Sequence, residues 1–192
     1  MRPSWSVTPK PTRVSSHARN SSTVTPAAGR PFSMSRTWVE IVGASVIYPS
    51  LVAELSIRVG DLNFTARWQP EAPQTVGAIR RLLPIRNKLI HCRWSGEGCW
   101  IPFGDMKLGV GFENHTSHPA PGDVIIYTGD LSECEILIAY GAVDFSSKLG
   151  QLAGNHFATM TGDRDALLSQ LKEMGRRVLW QGAQDIVIEE VA

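Results

Sequence analysis

From residue 52 onward the apolar positions recur every second residue. In VAELSIRV, Leu55, Ile57 and Val59 fall on one side and Glu54, Ser56 and Arg58 on the other; in LNFTARW, Leu62, Phe64, Ala66 and Trp68 alternate against Asn63, Thr65 and Arg67. A period of two places successive side chains on opposite faces of a strand. Gly60-Asp61 between the runs is a two-residue hairpin signal, so an antiparallel pair is predicted. The period then changes. Val76, Ile79, Leu82 and Leu83 recur at helical spacing behind Pro73 and Pro84 ends the run, which predicts a short helix over 73–83. Strands are predicted at 88–94, 98–103, 123–128, 134–140 and 155–161, each rich in β-branched or aromatic residues and bounded by Gly, Pro or Asp. Residues 163–174 read as an amphipathic helix with Leu167, Leu168 and Leu171 inward and Gly175 as its stop, and 185–191 alternates again as a closing strand. About eight antiparallel strands with two short helices have edges to hide, and closure into a barrel hides them. The fold class expected is therefore mainly β, a closed antiparallel β-barrel.

The 36 residues at the start differ in kind. They are rich in Ser, Thr, Pro and Arg, contain no acid and show no apolar periodicity, so they bury too little surface to offset the entropy of ordering. The chain divides on this reading into a disordered tail, 1–36, and one domain, 37–192. A start at Met34 and a targeting role remain alternative meanings of the tail. The apolar run 38–50 is irregular and receives no element.

Charge changes the picture once it is divided the same way. The tail holds six of the 19 basic residues, leaving 13 against all 18 acidic ones, so the net +1 of the chain conceals −5 on the domain. Nucleic-acid recognition rests on clustered Lys and Arg and is not expected. Glu40 and Glu54 bracket the longest apolar stretch, which falls short of the roughly 18–20 residues of a membrane span. Cys92, Cys99 and Cys134 cannot all pair with one another and each lies in an apolar run, which points to a reducing, cytoplasmic setting.

Candidate chemistry concentrates in NKLIHCRWSGEGCWIPF, where Arg93, Trp94, Glu97 and Trp100 surround one Ser95-Gly96 turn. Arg93 offers a planar fork of donors suited to a carboxylate or carbonyl, the alternative being a salt bridge to Glu97. Trp94 and Trp100 either exclude water from such a contact or pack in the core. Glu97, Glu113, Glu133 and Glu135 are the available acids and bases; beside tryptophan, desolvation would bring a carboxyl into range for proton exchange near neutrality. Glu135 lies opposite Cys134, Ile136 and Ile138. Asn114-His115 and Asn155-His156 repeat an Asn-His pattern that suits orienting a ligand and moving a proton. The expected catalytic residues are Arg93, Glu97 and His156, and the expected ligand-binding residues Trp94, Trp100, Glu113, Asn114, His115, Glu135 and Asn155. A metal reading of His115, His118 and His156, with Glu113 and His91, fails on spacing, because Pro119 and Pro121 make that segment a loop. No metal and no cofactor are expected, and neither a phosphate loop nor a dinucleotide fingerprint is present.

EAPQTVGAIRRLLP, an Ala-Pro-x-Thr helix start behind a hairpin, resembles the cyclophilin-like fold. More closely, HCRWSGEGCWIPF, ENHTSHPAPGDVIIYTG, SECEILIAYG, GQLAGNHFATMTGD and GRRVLWQGAQDIV resemble a bacterial family of cyclophilin-like proteins catalogued as domain of unknown function 3830, over roughly Val52 to Glu190. The resemblance implies a cyclophilin-like barrel and leaves the activity open. By position Arg93 is the counterpart of the arginine of prolyl isomerases, but SGEGCWIPF lacks the Phe-Met-x-Gln-Gly-Gly-Asp-Phe segment of the proline groove, and SECEILIAY stands where Asn-Gly-Ser-Gln-Phe-Phe would be. The favoured reading is a cytoplasmic protein that binds, or binds and transforms, a small polar carboxylate- or amide-containing metabolite. An accessory subunit of an amide-hydrolysing assembly is the second, with 38–50 as interface, and a peptidyl-prolyl isomerase the third. The partners left open are a homo-oligomer and an amidohydrolase-type protein.

Overall fold

The computed structural model describes residues 54–191. The predicted tail, the apolar run 38–50 and the boundary drawn at residue 37 lie outside the described residues. In chain order the elements are β1 Glu54–Val59, β2 Leu62–Trp68, α1 Pro73–Leu82, β3 Ile85–His91, β4 Gly96–Pro102, β5 His115–Thr116, β6 Asp123–Tyr127, β7 Glu135–Val143, β8 Ser146–Ser147, β9 Gly150–Gln151, β10 Gly154–Thr161, α2 Arg164–Gln181 and β11 Gln184–Val191.

The strands run β2-β1-β11-β3-β4-β7-β6-β10, and β10 pairs back onto β2. Every pairing is antiparallel. The sheet therefore closes into an eight-stranded barrel with two helices, and closure leaves these strands no open edge. The hairpin at Gly60-Asp61 forms as its sequence predicts, with Val59 opposite Leu62. Its alternation also holds, since Leu55, Ile57, Val59, Phe64, Ala66 and Trp68 are all buried. They join Ile101, Ile136, Ile138, Phe157 and Ile188 from the other strands in one core, closed by Val76 and Ile79 of α1 and Leu171, Met174 and Val178 of α2.

Two elements differ from their sequence reading. Helix α2 does not stop at Gly175 but continues to Gln181, so it is not short. Gly175 is a contact glycine: a Cβ there would lie 2.5 Å from Cζ of Tyr140. The missing side chain lets the helix settle on the tyrosine ring of β7, and the true C-cap is Gly182, at φ 89. Strand β3 begins directly after Pro84 and ends at His91, which leaves Arg93 and Trp94 in a bend rather than on a strand.

A second apolar cluster lies on the other side of the sheet. Ile125 and Tyr127 of β6, with Leu137, Ala139 and Val143 of β7, pack under Phe145 and Leu152. Residues 144–153, containing the β8–β9 pair, fold over this face, held by Leu152 N–H donating to Phe145 O at 2.8 Å and Phe145 N–H to Ser117 O at 2.7 Å. Strands β6 and β7 are consequently buried on both faces, and their runs read as continuously apolar.

Candidate functional site

The same outer face carries the site. In the β4–β7 ladder Gly96 stands opposite Val143, Trp100 opposite Leu137 and Pro102 opposite Glu135, with a bulge between Gly96 and Gly98. Trp100, Leu137 and Glu135 thus share the outer face, while Cys99, Ile101, Ile136 and Ile138 point into the barrel core. The bend after β3 is clamped to the start of β8 by buried Ser95, whose hydroxyl donates to Ser146 O at 3.0 Å and accepts from Ser146 N–H at 3.1 Å. Asp144 N–H adds a bond to Ser95 O at 3.1 Å. Between these walls lies a cavity of about 250 Å³, lined by Arg93, Trp94, Trp100, Glu133, Glu135 and Lys148, with Cys92 and Ser95, Ser132, Ser146 and Ser147 completing it. Trp94 is 60 % exposed at its mouth, whereas Trp100 is half-buried.

Burial pushes the Glu135 carboxyl up to about 7, and the neighbouring Glu133 carboxylate adds to the rise. No cation offsets either effect. Among the described residues no ion pair involves Arg93, Lys148, Glu133 or Glu135. The cavity therefore presents uncommitted charge of both signs beside two indole rings. Cys92 is no nucleophile here, because burial drives its thiol well above the ordinary range.

Of the ten residues picked from sequence, the cavity brings together Arg93, Trp94, Trp100 and Glu135. The others stand elsewhere, in defined roles. Glu97 faces the bulge of β7, its carboxylate accepting from Ala142 N–H at 2.8 Å, over Gly141, where a Cβ would collide with Glu97 Oε2. Glu113 caps α1: Thr75 N–H and Gln74 N–H donate to its carboxylate at 2.8 and 3.1 Å, and the Thr75 hydroxyl at 2.7 Å. Burial works against the charge of Glu113, but these bonds outweigh it and hold the carboxyl below its usual range. Asn155 is fully buried and completes that network, accepting from Glu113 N–H at 3.0 Å and donating to Thr75 Oγ1 at 3.0 Å and Gly111 O at 2.8 Å. Asn114, at φ 44, donates to His156 O at 2.9 Å, and exposed His115 packs against Phe112 with ring centroids 4.9 Å apart and planes tilted by 40°. His156 Nε2 lies 3.2 Å from Asp123 Oδ1 and 2.8 Å from Thr159 Oγ1. One ring nitrogen faces both groups, so the trio is a local network rather than a relay through the imidazole.

Sequence reading passed over Lys148 and the serines of β8. Each comes from a polar turn with no apolar period of its own, and only the folding of 144–153 across β7 brings them to Arg93. Another pairing is equally long-range: His91 Nδ1 donates to Cys92 O at 2.8 Å, which fixes the neutral tautomer and leaves Nε2 to accept from the Tyr140 hydroxyl at 2.7 Å. Among the described residues no group of three or more His, Cys, Asp or Glu could hold a metal ion, and no helix is long and apolar enough to cross a membrane.

The profile of the family described as "Protein of unknown function (DUF3830)" matches residues 55–189, the whole barrel with both helices. The chain belongs to the DUF3830 family. Among solved structures, this DUF3830 barrel is similar to the one described as McbB in complex with tryptophan, with a TM-score of 0.55 and 15 % identity. That match covers 70 % of this chain and 44 % of McbB, so the chain spans less than half of the neighbour's length. The solution structure of the hypothetical protein AF2241 from Archaeoglobus fulgidus is a second neighbour, at TM-score 0.49 and 19 % identity, covering 72 % of this chain and 95 % of that one. No curated protein matches the DUF3830 chain in sequence. At 15 % identity the likeness to McbB supports the barrel fold alone.

Proposed function

We propose that this DUF3830 protein binds a small polar metabolite bearing a carboxylate or amide in the outer-face cavity. The observation that carries the reading is the convergence of Arg93, Trp94, Trp100 and Glu135, from separate segments, on one cavity of about 250 Å³. That is a volume for a small molecule, just below the range of about 300–1,000 Å³ typical of drug-sized sites. Arg93 supplies a permanently charged, bidentate donor for a carboxylate or amide oxygen. Trp94 and Trp100 give flat apolar walls that lower the local polarity around that contact. Glu135, poised at about 7 by burial, exchanges a proton readily near neutral pH. If the bound molecule is transformed, Glu135 is the proton-transfer group within reach, with Arg93 orienting the substrate. McbB, solved with tryptophan, is an instance of a protein sharing this fold with a small molecule bound.

The test is a thermal-shift screen of the full chain against aliphatic and aromatic carboxylates and their amides, repeated on Arg93→Ala. A ligand present at about 100 times its Kd stabilises the native state by about 2.7 kcal/mol. A shift in the wild type that Arg93→Ala abolishes supports the reading. A shift that survives Arg93→Ala, or none from any compound, contradicts it.

A further inference from the structure

The cavity is polar at both ends, with opposite signs. Cys92 N–H donates to Gly98 O in the β3–β4 hairpin, so Arg93 lies level with Glu97 near the Gly96↔Val143 end of the β4–β7 ladder, and Glu133 and Glu135 flank its Pro102↔Glu135 end. The five steps from Glu97 to Pro102 make roughly 16 Å of strand at about 3.3 Å per residue. Long side chains shorten that gap, and Trp100 lies along it. The separation also accounts for Glu135 feeling no offsetting cation. Lys148, on the β8–β9 turn, lines the cavity too, yet it makes no ion pair with either glutamate.

The carboxylate end of a ligand is met by Arg93. The other end presents two carboxyl groups, one of them largely removed from water, which is an unfavourable place to keep anionic charge unless a cation arrives with it. An ammonium group brings three donors and no acceptor, and it is also favoured against an indole face.

Building on the carboxylate reading above, we propose that the ligand is a zwitterion with its charges set several atoms apart, an ω-amino acid or a dipeptide. Its carboxylate lies on Arg93, its chain runs along Trp100 and its ammonium sits at Glu133 and Glu135. An α-amino acid carries both charges on one carbon and does not span the two ends.

The test uses matched probes on the full chain by isothermal titration calorimetry: 5-aminopentanoate and 6-aminohexanoate against pentanoate and hexanoate, and glycylglycine against N-acetylglycine, which lacks only the amino group. An amino-bearing probe is expected to bind at least about tenfold more tightly than its partner, a difference of about 1.4 kcal/mol. The pair showing the preference tells an ω-amino acid site from a dipeptide site. Glu135→Gln and Glu133→Gln should each shrink that ratio; Arg93→Ala should weaken both members. Equal binding of the matched probes, or a ratio that persists in both glutamine variants, overturns the zwitterion. Simple carboxylates that bind through Arg93 while no amino-bearing probe gains over its partner overturn it too, yet leave the carboxylate site standing. Failure of every carboxylate to bind removes both.

Discussion

Glu135 stands opposite Pro102 on one neighbouring strand and Tyr127 on the other, so its carboxyl is desolvated by the sheet itself as well as by the segment above it. Its folded-state value, about 7 against an ordinary 4.5, makes the native state bind more protons than the unfolded chain between those two values. Stability contributed by this group is therefore present below about 4.5 and lost as pH rises through about 7, by at most about 3 kcal/mol. Glu135→Gln should match the wild type near pH 5 and exceed it near pH 8 in urea midpoint; a variant less stable than the wild type at pH 8 would show that Glu135 has a cationic partner in the free protein. The alternation of Glu135 against Ile136 and Ile138 was legible in the sequence. Its desolvation was not, because Leu137 on its own face and residues 144–153 above it supply the cover. Glu97 misleads for the opposite reason: between Gly96 and Gly98 strand β7 carries two extra residues, from Val143 to Ala139, and the bulge brings Ala142 N–H to the Glu97 carboxylate.

At the level of elements, period-two runs and Gly or Pro punctuation located every long strand of the barrel except for a few residues at their ends. The exceptions concern what a glycine or a bend means. Gly175 has the sequence look of a helix stop but serves as the seat of the Tyr140 ring, and nothing local distinguishes a cap glycine from a contact glycine. Gly175→Ala gains about 1 kcal/mol of helix propensity but forces a methyl into the ring, an overpacking that typically costs about 1–3 kcal/mol. The variant should lower the urea midpoint, with Tyr140 giving way; an unchanged or raised midpoint would mean that α2 slides on β7 without cost. Because Tyr140 also donates to His91, a shifted ring should appear as a changed His91 imidazole signal in the NMR spectrum of the same variant.

Across the described residues, closure of eight strands fixes the inner core, and a fold-over of ten residues between β7 and β10 creates a second, outer layer. The first is written in alternation and was readable. The second depends on where Phe145 and Leu152 land, and with them Lys148 and the β8 serines, which no periodicity announces. The candidate site belongs to this outer layer, so the sequence exposed its two tryptophans, its arginine and one glutamate while hiding the wall that encloses them. Polar residues read as functional, Glu113 and Asn155 above all, instead tie the 103–114 segment to α1. The most direct test of the ligand cavity is a titration followed through the indole N–H signals of uniformly ¹⁵N-labelled protein, using the carboxylate that gives the largest thermal shift. Saturable shifts of Trp94 and Trp100 are expected, with Trp68, bonded to Glu190, and exposed Trp180 left in place. Shifts centred on Trp68 or Trp180 with Trp94 and Trp100 unmoved would contradict a ligand in that cavity.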